Sequence, residues 1–266
     1  MTSPSPDLCP PGPRRKTGSL IPWIALVFLA FTLRELGFFE SGRLQRGLVN
    51  LSILAGEAFP PNVGILPVVL RALWETLQMA FAGTMLGFLA ALPLAFLGTT
   101  VLFSFPLVGA IRVLVGLIRT IPSILWGVIA VVVVGLGPLA GTLALALYTT
   151  GYLAKLYAEA FDAVDPEILE AIRGVGAKPW HIARFAIWTE SANYILSQLL
   201  FMLEYNVRAS AVLGFVGAGG IGFYLQAYLS MLDYSRVSTL LLGLFAFVLV
   251  MDGISGWLRR RYLLRY

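Results

Sequence analysis

Charged residues are scarce in this chain of 266 residues, since they make up only 12% of it. Ordinary soluble domains carry about twice that share. Hydrophobic residues make up 58%, and the mean hydropathy is +0.84. This composition excludes a soluble globular enzyme of ordinary type, and it excludes a disordered chain, which needs low hydrophobicity. We therefore predict an all-α protein that crosses a membrane several times.

Cysteine and histidine are almost missing, with Cys9 and His181 as the single examples. One cysteine excludes an intrachain disulfide, and neither residue alone can build a metal site of the usual multi-ligand kind. The chain also lacks a GxxxxGK[ST] stretch, which would cradle nucleotide phosphates. No Ser/His/Asp set or catalytic pair of carboxylates is recognisable. We expect no metal, cofactor or catalytic centre in this chain.

Six apolar segments fit the length of the chain at about 20 residues per transmembrane helix. They lie at about 20–37, 67–97, 107–134, 139–160, 185–207 and 237–257. In the second segment, Gly83 and Gly87 form a small-xxx-small pair suited to close helix contact. Between the first two segments, leucines recur with helical spacing, which predicts an amphipathic interfacial helix that ends at Phe59-Pro60-Pro61.

The basic residues predict the orientation of these segments, because cytoplasmic loops carry an excess of Lys and Arg. Six spans put both termini on the same side of the membrane. The basic clusters at 14–16 and 259–261 indicate that this side is the cytoplasm. We expect a cytoplasmic tail over 1–19, a first transmembrane helix and periplasmic amphipathic segment over 20–66, and a transmembrane core over 67–262. The net charge of +5 thus serves orientation in the lipid bilayer, and we expect no nucleic-acid partner.

The long polar loop at 161–184 predicts a helix–turn–helix on the cytoplasmic surface. Asp165 is a favourable N-cap and Pro166 suits the first helical position. Gly174 and Gly176 permit a turn out of this helix. Pro179 then begins a second short helix that leads into the fifth apolar segment.

Charged and polar side chains inside the spans are candidates for a translocation path, because they are costly in a membrane. Glu204 and Arg208 are spaced as a helical pair, with Asn206 between them. Either they form a structural ion pair that braces the glycine-rich segment, or Arg208 attracts an anion along the path. Asp252 requires a basic partner that the sequence does not identify, and Glu75 fits an interfacial carboxylate.

Further candidates lie in the third and fourth segments and in the glycine-rich segment. Arg119, Ser123 and Thr149 either line a path or make packed polar contacts between helices. The glycines allow a bend that could serve as a gate or hinge, or they could serve close packing instead. These glycines are Gly217, Gly219, Gly220 and Gly222.

The loop at 161–184 resembles the EAA motif of ABC importer permeases. Glu170, Ala171 and Gly176 match the motif, whereas Ile172 replaces its second alanine and Trp188-Thr189 replaces its later Leu-Pro. The resemblance implies that this loop forms the coupling helices that dock on an ATPase subunit. The residues it assigns to coupling are Glu170, Ala171, Gly174 and Gly176.

Longer stretches are similar to the phosphonate/phosphite importer permeases, the PhnE-like branch. They are GLGPLAGTLALALYTTGYLAKLYAEA, EYNVRASAVLGFVGAGGIG and the tail with Asp252, Ser255 and Arg259-Arg260. The similarity spans about 67–262 and implies the architecture of a type I ABC importer permease, multi-pass in the bacterial inner membrane. It implies import of phosphonate, phosphite or hypophosphite from a periplasmic binding protein. It also implies an ATPase dimer that uses ATP and Mg²⁺, and a second copy of the permease, with which this chain forms a homodimer.

Three other functions remain open at this point. VGAGGIG also occurs in methionine-type permeases, and Tyr148 stands where the related stretch has histidine, so the substrate could be another small solute such as an amino acid. From a different class, an uncoupled channel would leave the EAA-like loop unexplained. An integral membrane enzyme would require clustered catalytic residues near an interface.

Overall fold

The computed structural model describes residues 20–263, and within them every regular element is a helix. This confirms the all-helical prediction. The predicted tail at 1–19, with Cys9 and the basic cluster at 14–16, lies outside the described residues. A boundary between Gly56 and Glu57 divides the chain into two compact units, which we describe separately.

The first unit contains α1 (Leu20–Glu35) and most of α2 (Ser41–Ala58). Helix α1 falls on the first predicted apolar segment, and its 16 residues are fewer than the roughly 20 that span a bilayer without adjustment. Helix α2 ends at Ala58, directly before Phe59-Pro60-Pro61. Pro60 and Pro61 have no N–H to donate to a continuing helix, so the predicted end of the amphipathic helix is confirmed.

The second unit contains the remaining helices. They are α3 (Leu66–Leu97), α4 (Phe105–Thr120), α5 (Ser123–Val134), α6 (Pro138–Asp162), α7 (Pro166–Gly174), α8 (Pro179–Ile182), α9 (Trp188–Gly214), α10 (Gly220–Ser230) and α11 (Tyr234–Leu258). A π-helical turn, Ala183–Ile187, joins α8 to α9.

The predicted segment at 107–134 contains two helices in the structure and not one continuous helix. Helices α4 and α5 meet at an angle of 86°. Ile121, the residue before Pro122, is extended, with φ −87° and ψ 117°. A proline disfavours the α conformation in the residue before it and lacks the N–H that would continue the helix. The chain therefore makes a near right-angle turn at Pro122.

By length and apolar composition, two of the described helical segments could each cross a membrane: Val63–Leu97 and Tyr234–Arg261. The bent pair α4–α5 could form a third crossing. Helices α6 and α9 have 25 and 27 residues, which is long enough, but they carry more polar residues. These helices mark the chain as an integral membrane protein.

Helices α3 and α6 pack closely along the predicted small-residue pair. A Cβ atom added to Gly83 would lie 2.7 Å from the Cβ of Leu145, and one added to Gly87 would lie 2.5 Å from the Cβ of Thr149. Both distances are shorter than side chains tolerate, so only glycine allows the two backbones to approach this closely. The predicted helix contact is confirmed.

Candidate functional site

The loop between α6 and α9 folds as its local sequence predicts. The Asp165 side chain accepts a hydrogen bond from the backbone N–H of Glu167 at 2.9 Å and so caps α7. Helix α7 ends at Gly174, and Gly176 has a φ of +78°, a conformation that glycine adopts without strain. Helix α8 then begins at Pro179. The predicted helix–turn–helix is confirmed.

The inner face of this loop is fixed to the helices around it. Leu169 of α7 and Ile182 of α8 are buried in the same hydrophobic cluster as Ile187. The Arg173 guanidinium donates a hydrogen bond at 3.0 Å to the carbonyl oxygen of Val101, in the turn after α3. These contacts join the loop to the turn after α3 and to the π-helical turn that leads into α9.

The outer face of the loop is open. Glu170, Ala171 and Gly174 are all exposed, as is the turn glycine Gly176. Two large apolar residues share this surface, with Val175 84% and Trp180 68% exposed. Exposed apolar side chains rimmed by polar residues are typical of a protein contact surface. The structure thus brings the four predicted coupling residues to one exposed segment.

Asp162, at the end of α6, holds the start of this loop against the turn between α3 and α4. Its Oδ1 atom accepts hydrogen bonds from Thr99 Oγ1 at 2.7 Å, Thr100 N at 2.8 Å and Thr100 Oγ1 at 3.0 Å. Its Oδ2 atom pairs with the Arg112 guanidinium. Burial alone would raise the pKa of this carboxyl, but the hydrogen bonds from Thr99, Thr100 and Arg112 outweigh it and lower the pKa.

A polar cluster lies where α3, α6 and α9 meet. The Asn206 side chain is fully buried, and its Nδ2 atom donates hydrogen bonds to Thr84 Oγ1 and Thr149 Oγ1, both at 2.8 Å. Its Oδ1 atom is buried without a partner among the described residues. In this conformation Asn206 and Thr149 therefore hold three helices together and do not face an open path.

Glu204 and Arg208 do not pair with each other, and the expected helical ion pair is wrong. Glu204 Oε1 lies 2.9 Å from Arg259 Nη2, and Arg208 Nη1 lies 3.1 Å from Asp252 Oδ1. Arg208 of α9 thus bonds to α11. Glu204 of α9 bonds to the π-helical turn Arg259–Leu263, which follows α11. Each residue therefore pairs outside α9, and Arg208 is the basic partner of Asp252 that the sequence did not identify.

The glycine-rich segment is held by two residues of α3. Glu75 Oε1 accepts a hydrogen bond from the N–H of Gly220 at 2.7 Å, and Thr76 Oγ1 accepts one from the N–H of Ile221 at 2.9 Å. The first N–H groups of a helix have no partner within it, and a carboxylate is favoured there. Sequence reasoning assigned Glu75 only to the membrane interface. A glycine-rich helix start that needs an acceptor was the signal that could have identified its role.

Two separate structural features of this segment require glycine. Gly217, Gly219 and Gly220 all have positive φ values, between 69° and 83°, and form the turn between α9 and α10. Gly222 is helical, and a Cβ atom added to it would overlap the carbonyl oxygen of Ala211 in α9. The turn conformation and the close contact of α9 with α10 both exclude larger residues.

Arg119 and Ser123 lie on either side of the bend between α4 and α5. Arg119 is exposed at the end of α4 and Ser123 begins α5. The six path candidates therefore occupy three places: this bend, the buried cluster around Asn206, and the contact of α9 with α11. The structure does not gather them into one pocket of this chain.

Comparison with known proteins identifies the class of molecule. Residues 83–264 match the family described as "Binding-protein-dependent transport system inner membrane component". The chain belongs to this family. Its relatives include the phosphite transport system permease protein PtxC of Stutzerimonas stutzeri, which is 37% identical over 90% of this chain and 88% of its own length. A second is the phosphate-import permease protein PhnE of Mycolicibacterium smegmatis, 33% identical over 76% of this chain but only 38% of that longer protein.

A solved structure places the fold in the same class. The permease chain in an inward-facing structure of the MetNI methionine ABC transporter superposes with a TM-score of 0.66, at 25% identity, over 75% of this chain and 98% of that one. The resemblance to PhnE-like ABC permeases is thus confirmed. This chain is a permease component of an ABC importer, and the transport class is preferred over an uncoupled channel or a membrane enzyme.

Proposed function

We propose that this permease imports phosphite or a related phosphorus oxyanion, such as phosphonate or hypophosphite. The proposed substrate rests on the 37% identity to a phosphite permease, which extends over 90% of this chain. A match of this length includes most of the second unit, which contains α3 to α11. An amino acid is the competing substrate, because the MetNI permease shares the fold.

The α7–α8 loop is the coupling segment of this proposal. Glu170, Ala171, Gly174 and Gly176 contact an ATPase dimer, which binds ATP and Mg²⁺ and performs the hydrolysis. The exposed Val175 and Trp180 add apolar area to this contact. On the inner side, the buried contacts of Leu169 and Ile182 transmit closure of the ATPase to the transmembrane helices.

The proposed topology has six crossings in the bacterial inner membrane, with both termini in the cytoplasm. Helices α1, α3, α4–α5, α6, α9 and α11 provide the crossings. Thr149 of α6 and Asn206 of α9, two polar residues that would oppose insertion, are buried against other helices. The proposed organisation is a cytoplasmic tail at 1–19, a first transmembrane helix and periplasmic amphipathic segment at 20–66, and a permease core at 67–262.

Transport by alternating access requires two further partners. A periplasmic binding protein delivers the anion, and a second copy of this chain completes the path. Arg119, Ser123, Glu204 and Arg208 contribute to the path, while the buried Thr149 and Asn206 hold together the helices that surround it. The turn at 217–220 acts as the hinge, because its three positive-φ glycines change conformation at little cost. Gly222 anchors the helix that follows it.

The substrate is tested by reconstituting the complete transporter, with its ATPase and binding protein, into liposomes. We expect ATP-dependent accumulation of phosphite or methylphosphonate and no accumulation of methionine. Accumulation of methionine without either phosphorus compound would contradict the proposed substrate and favour the amino-acid alternative.

Coupling is tested by Glu170→Lys and Gly176→Asp in the same liposomes. Both changes are expected to abolish uptake while membrane insertion stays normal, because they disturb the exposed contact surface and the loop's inner face keeps its buried contacts. Glu57→Lys, an equal change of charge at an exposed residue outside the loop, is the control and keeps its uptake. Normal uptake in both loop variants would remove the coupling assignment.

A further inference from the structure

A groove of about 360 Å³ lies between α4 and α6, next to the end of α3. One face of α4 lines it from Ile111 to Arg119, and Ala154 to Glu159 of α6 line the opposite side. Its volume is at the lower end of the range for small-molecule sites. The groove adjoins Asp162 and so lies at the same end of the unit as the α7–α8 loop.

Basic residues dominate the charge of this groove. Arg112, Arg119 and Lys155 line it, with Glu159 as its one lining carboxylate. Lys155 Nζ lies 3.4 Å from Glu159 Oε1, and Arg112 pairs with Asp162 just outside the lining. Arg112 Nε also donates to the carbonyl oxygen of Gly98 at 3.0 Å, so its guanidinium is held in place at the mouth of the groove.

Arg119 is the cation that these pairs leave uncompensated. Within residues 20–263 no carboxylate lies within ion-pair distance of it. It is exposed in the last turn of α4, where the helix dipole supplies only about half a negative charge. Arg119 lies seven residues beyond Arg112, or about 10 Å deeper along the helix. An arginine in this position favours an anion with several oxygen acceptors.

Two glycines leave the space that such an anion needs. Gly116 lines the groove between the two arginines, and a Cβ atom added to it would meet nothing within 4 Å. Gly151 of α6 lets the stem of Arg119 pack closely, since an added Cβ atom would lie 2.9 Å from Arg119 Cγ. The stem of Arg119 thus packs against α6, and the groove beside Gly116 stays open.

We propose that this groove is an oxyanion site that binds a phosphate-type group, with Arg119 as its principal ligand and Lys155 and Arg112 beside it. The group is either a free phosphorus oxyanion or the phosphodiester of an anionic lipid, and both present negatively charged oxygens bonded to phosphorus, which accept hydrogen bonds from arginine. The site is derived from the groove's own charges, so it goes beyond the proposed substrate.

The test uses the purified full-length chain in phosphatidylcholine nanodiscs, without ATPase, binding protein or ATP. Binding of inorganic phosphate is measured by equilibrium dialysis. Retention of phosphatidylglycerol is measured by native mass spectrometry after purification from membranes that contain it. Arg119→Gln removes the charge, and Gly116→Leu fills the groove without changing charge. The controls are Arg46→Gln, at an exposed arginine of α2, and Gly109→Leu, at a glycine of α4 with open space around it.

If the occupant is a free anion, inorganic phosphate should bind about tenfold more weakly to both groove variants and as tightly as before to both controls. Loss of a hydrogen bond to a charged group has about this effect. Phosphatidylglycerol retention that is lost in the same two variants supports the site with a lipid as occupant. If neither probe binds the parent chain, or both bind the groove variants as tightly as the parent, the site is overturned. The result does not depend on which solute the transporter imports.

Discussion

The carboxylate of Glu75 accepts a hydrogen bond of 2.7 Å from the backbone N–H of Gly220. One residue in α3 therefore fixes the first residue of α10, 145 positions later in the chain. The adjacent Thr76 bonds the next N–H, of Ile221, in the same way. The glycine turn between α9 and α10 is thus anchored to α3 at Gly220, its last residue.

Glu75→Leu should destabilise the second unit, because the N–H of Gly220 would lose a charged acceptor. A hydrogen bond to a charged group contributes about 1.5–3 kcal/mol, and the half-buried position of Glu75 puts the effect at the lower end. The measurement is thermal unfolding of the purified chain in detergent. Glu75→Gln, which keeps a side-chain oxygen, should recover most of the loss.

The control for this prediction is Glu57→Leu, at an exposed carboxylate without a described ion pair. It should leave the unfolding temperature unchanged. An equal drop in Glu75→Leu and Glu57→Leu would show that the bond to Gly220 contributes nothing specific.

Gly222→Ala should disrupt the contact of α9 with α10. The added Cβ atom would overlap the backbone oxygen of Ala211, which cannot rotate away as a side chain could. Overpacking of this kind costs about 1–3 kcal/mol or more. The measurement is the yield and unfolding temperature of the folded chain in detergent.

Gly253→Ala is the matched control, since Gly253 lies in α11 with nothing within 4 Å of an added Cβ atom. It should be neutral, or stabilising by up to about 1 kcal/mol through better helix propensity. If Gly222→Ala behaved like Gly253→Ala, the two helices would have to separate more easily than the described contact allows.

Local signals predicted the parts of the fold that neighbouring residues determine. Asp165 and Pro166 begin α7, and Gly176 turns out of it, because capping and positive φ depend on residues within one helical turn. The end of α2 before Pro60 follows from the same kind of rule. The sequence therefore predicted the fold of the segment that carries the four coupling candidates, while their role in coupling stays a prediction.

Contacts between distant helices were not predictable in this way. Spacing favoured a Glu204–Arg208 pair, but each residue pairs instead with a residue in α11 or just after it. One sequence does not show which helices become neighbours. Likewise, Asn206 was a path candidate by its polarity, whereas its burial between Thr84 and Thr149 depends on the packing of three helices. The 86° bend at Pro122 also exceeds what the proline alone predicts.

Exchanging the charges of Arg208 and Asp252 should test the contact of α9 with α11. Arg208→Asp and Asp252→Arg should each lower the unfolding temperature, because each places two like charges together. The double variant should recover part of the loss, with a coupling energy of about 1 kcal/mol, since polar contacts in membrane proteins are modest. Thermal unfolding of all four forms gives this energy.

The control is the same set of two single variants and one double variant, with the charges of Glu204 and Arg208 exchanged. It should give a coupling energy near zero. A coupling between Glu204 and Arg208 that exceeded that of Arg208 and Asp252 would restore the helical pair expected from the sequence and contradict the described arrangement.

The contribution of Asp162 should be independent of pH in the neutral range and vanish only in acid. Its hydrogen bonds lower the pKa of the carboxyl in the folded chain, so the ionised form is the one that stabilises the fold. The stabilisation is complete above the unfolded pKa of about 3.9, and it is lost as the pH falls through the lower folded pKa. The difference in unfolding free energy between the parent and Asp162→Asn, followed in detergent from pH 8 to pH 3, measures it. This difference should stay constant down to about pH 5 and shrink only below about pH 4. A difference that disappeared near pH 6 would mean that Asp162 is not the ionised anchor that joins α6 to Thr99, Thr100 and Arg112.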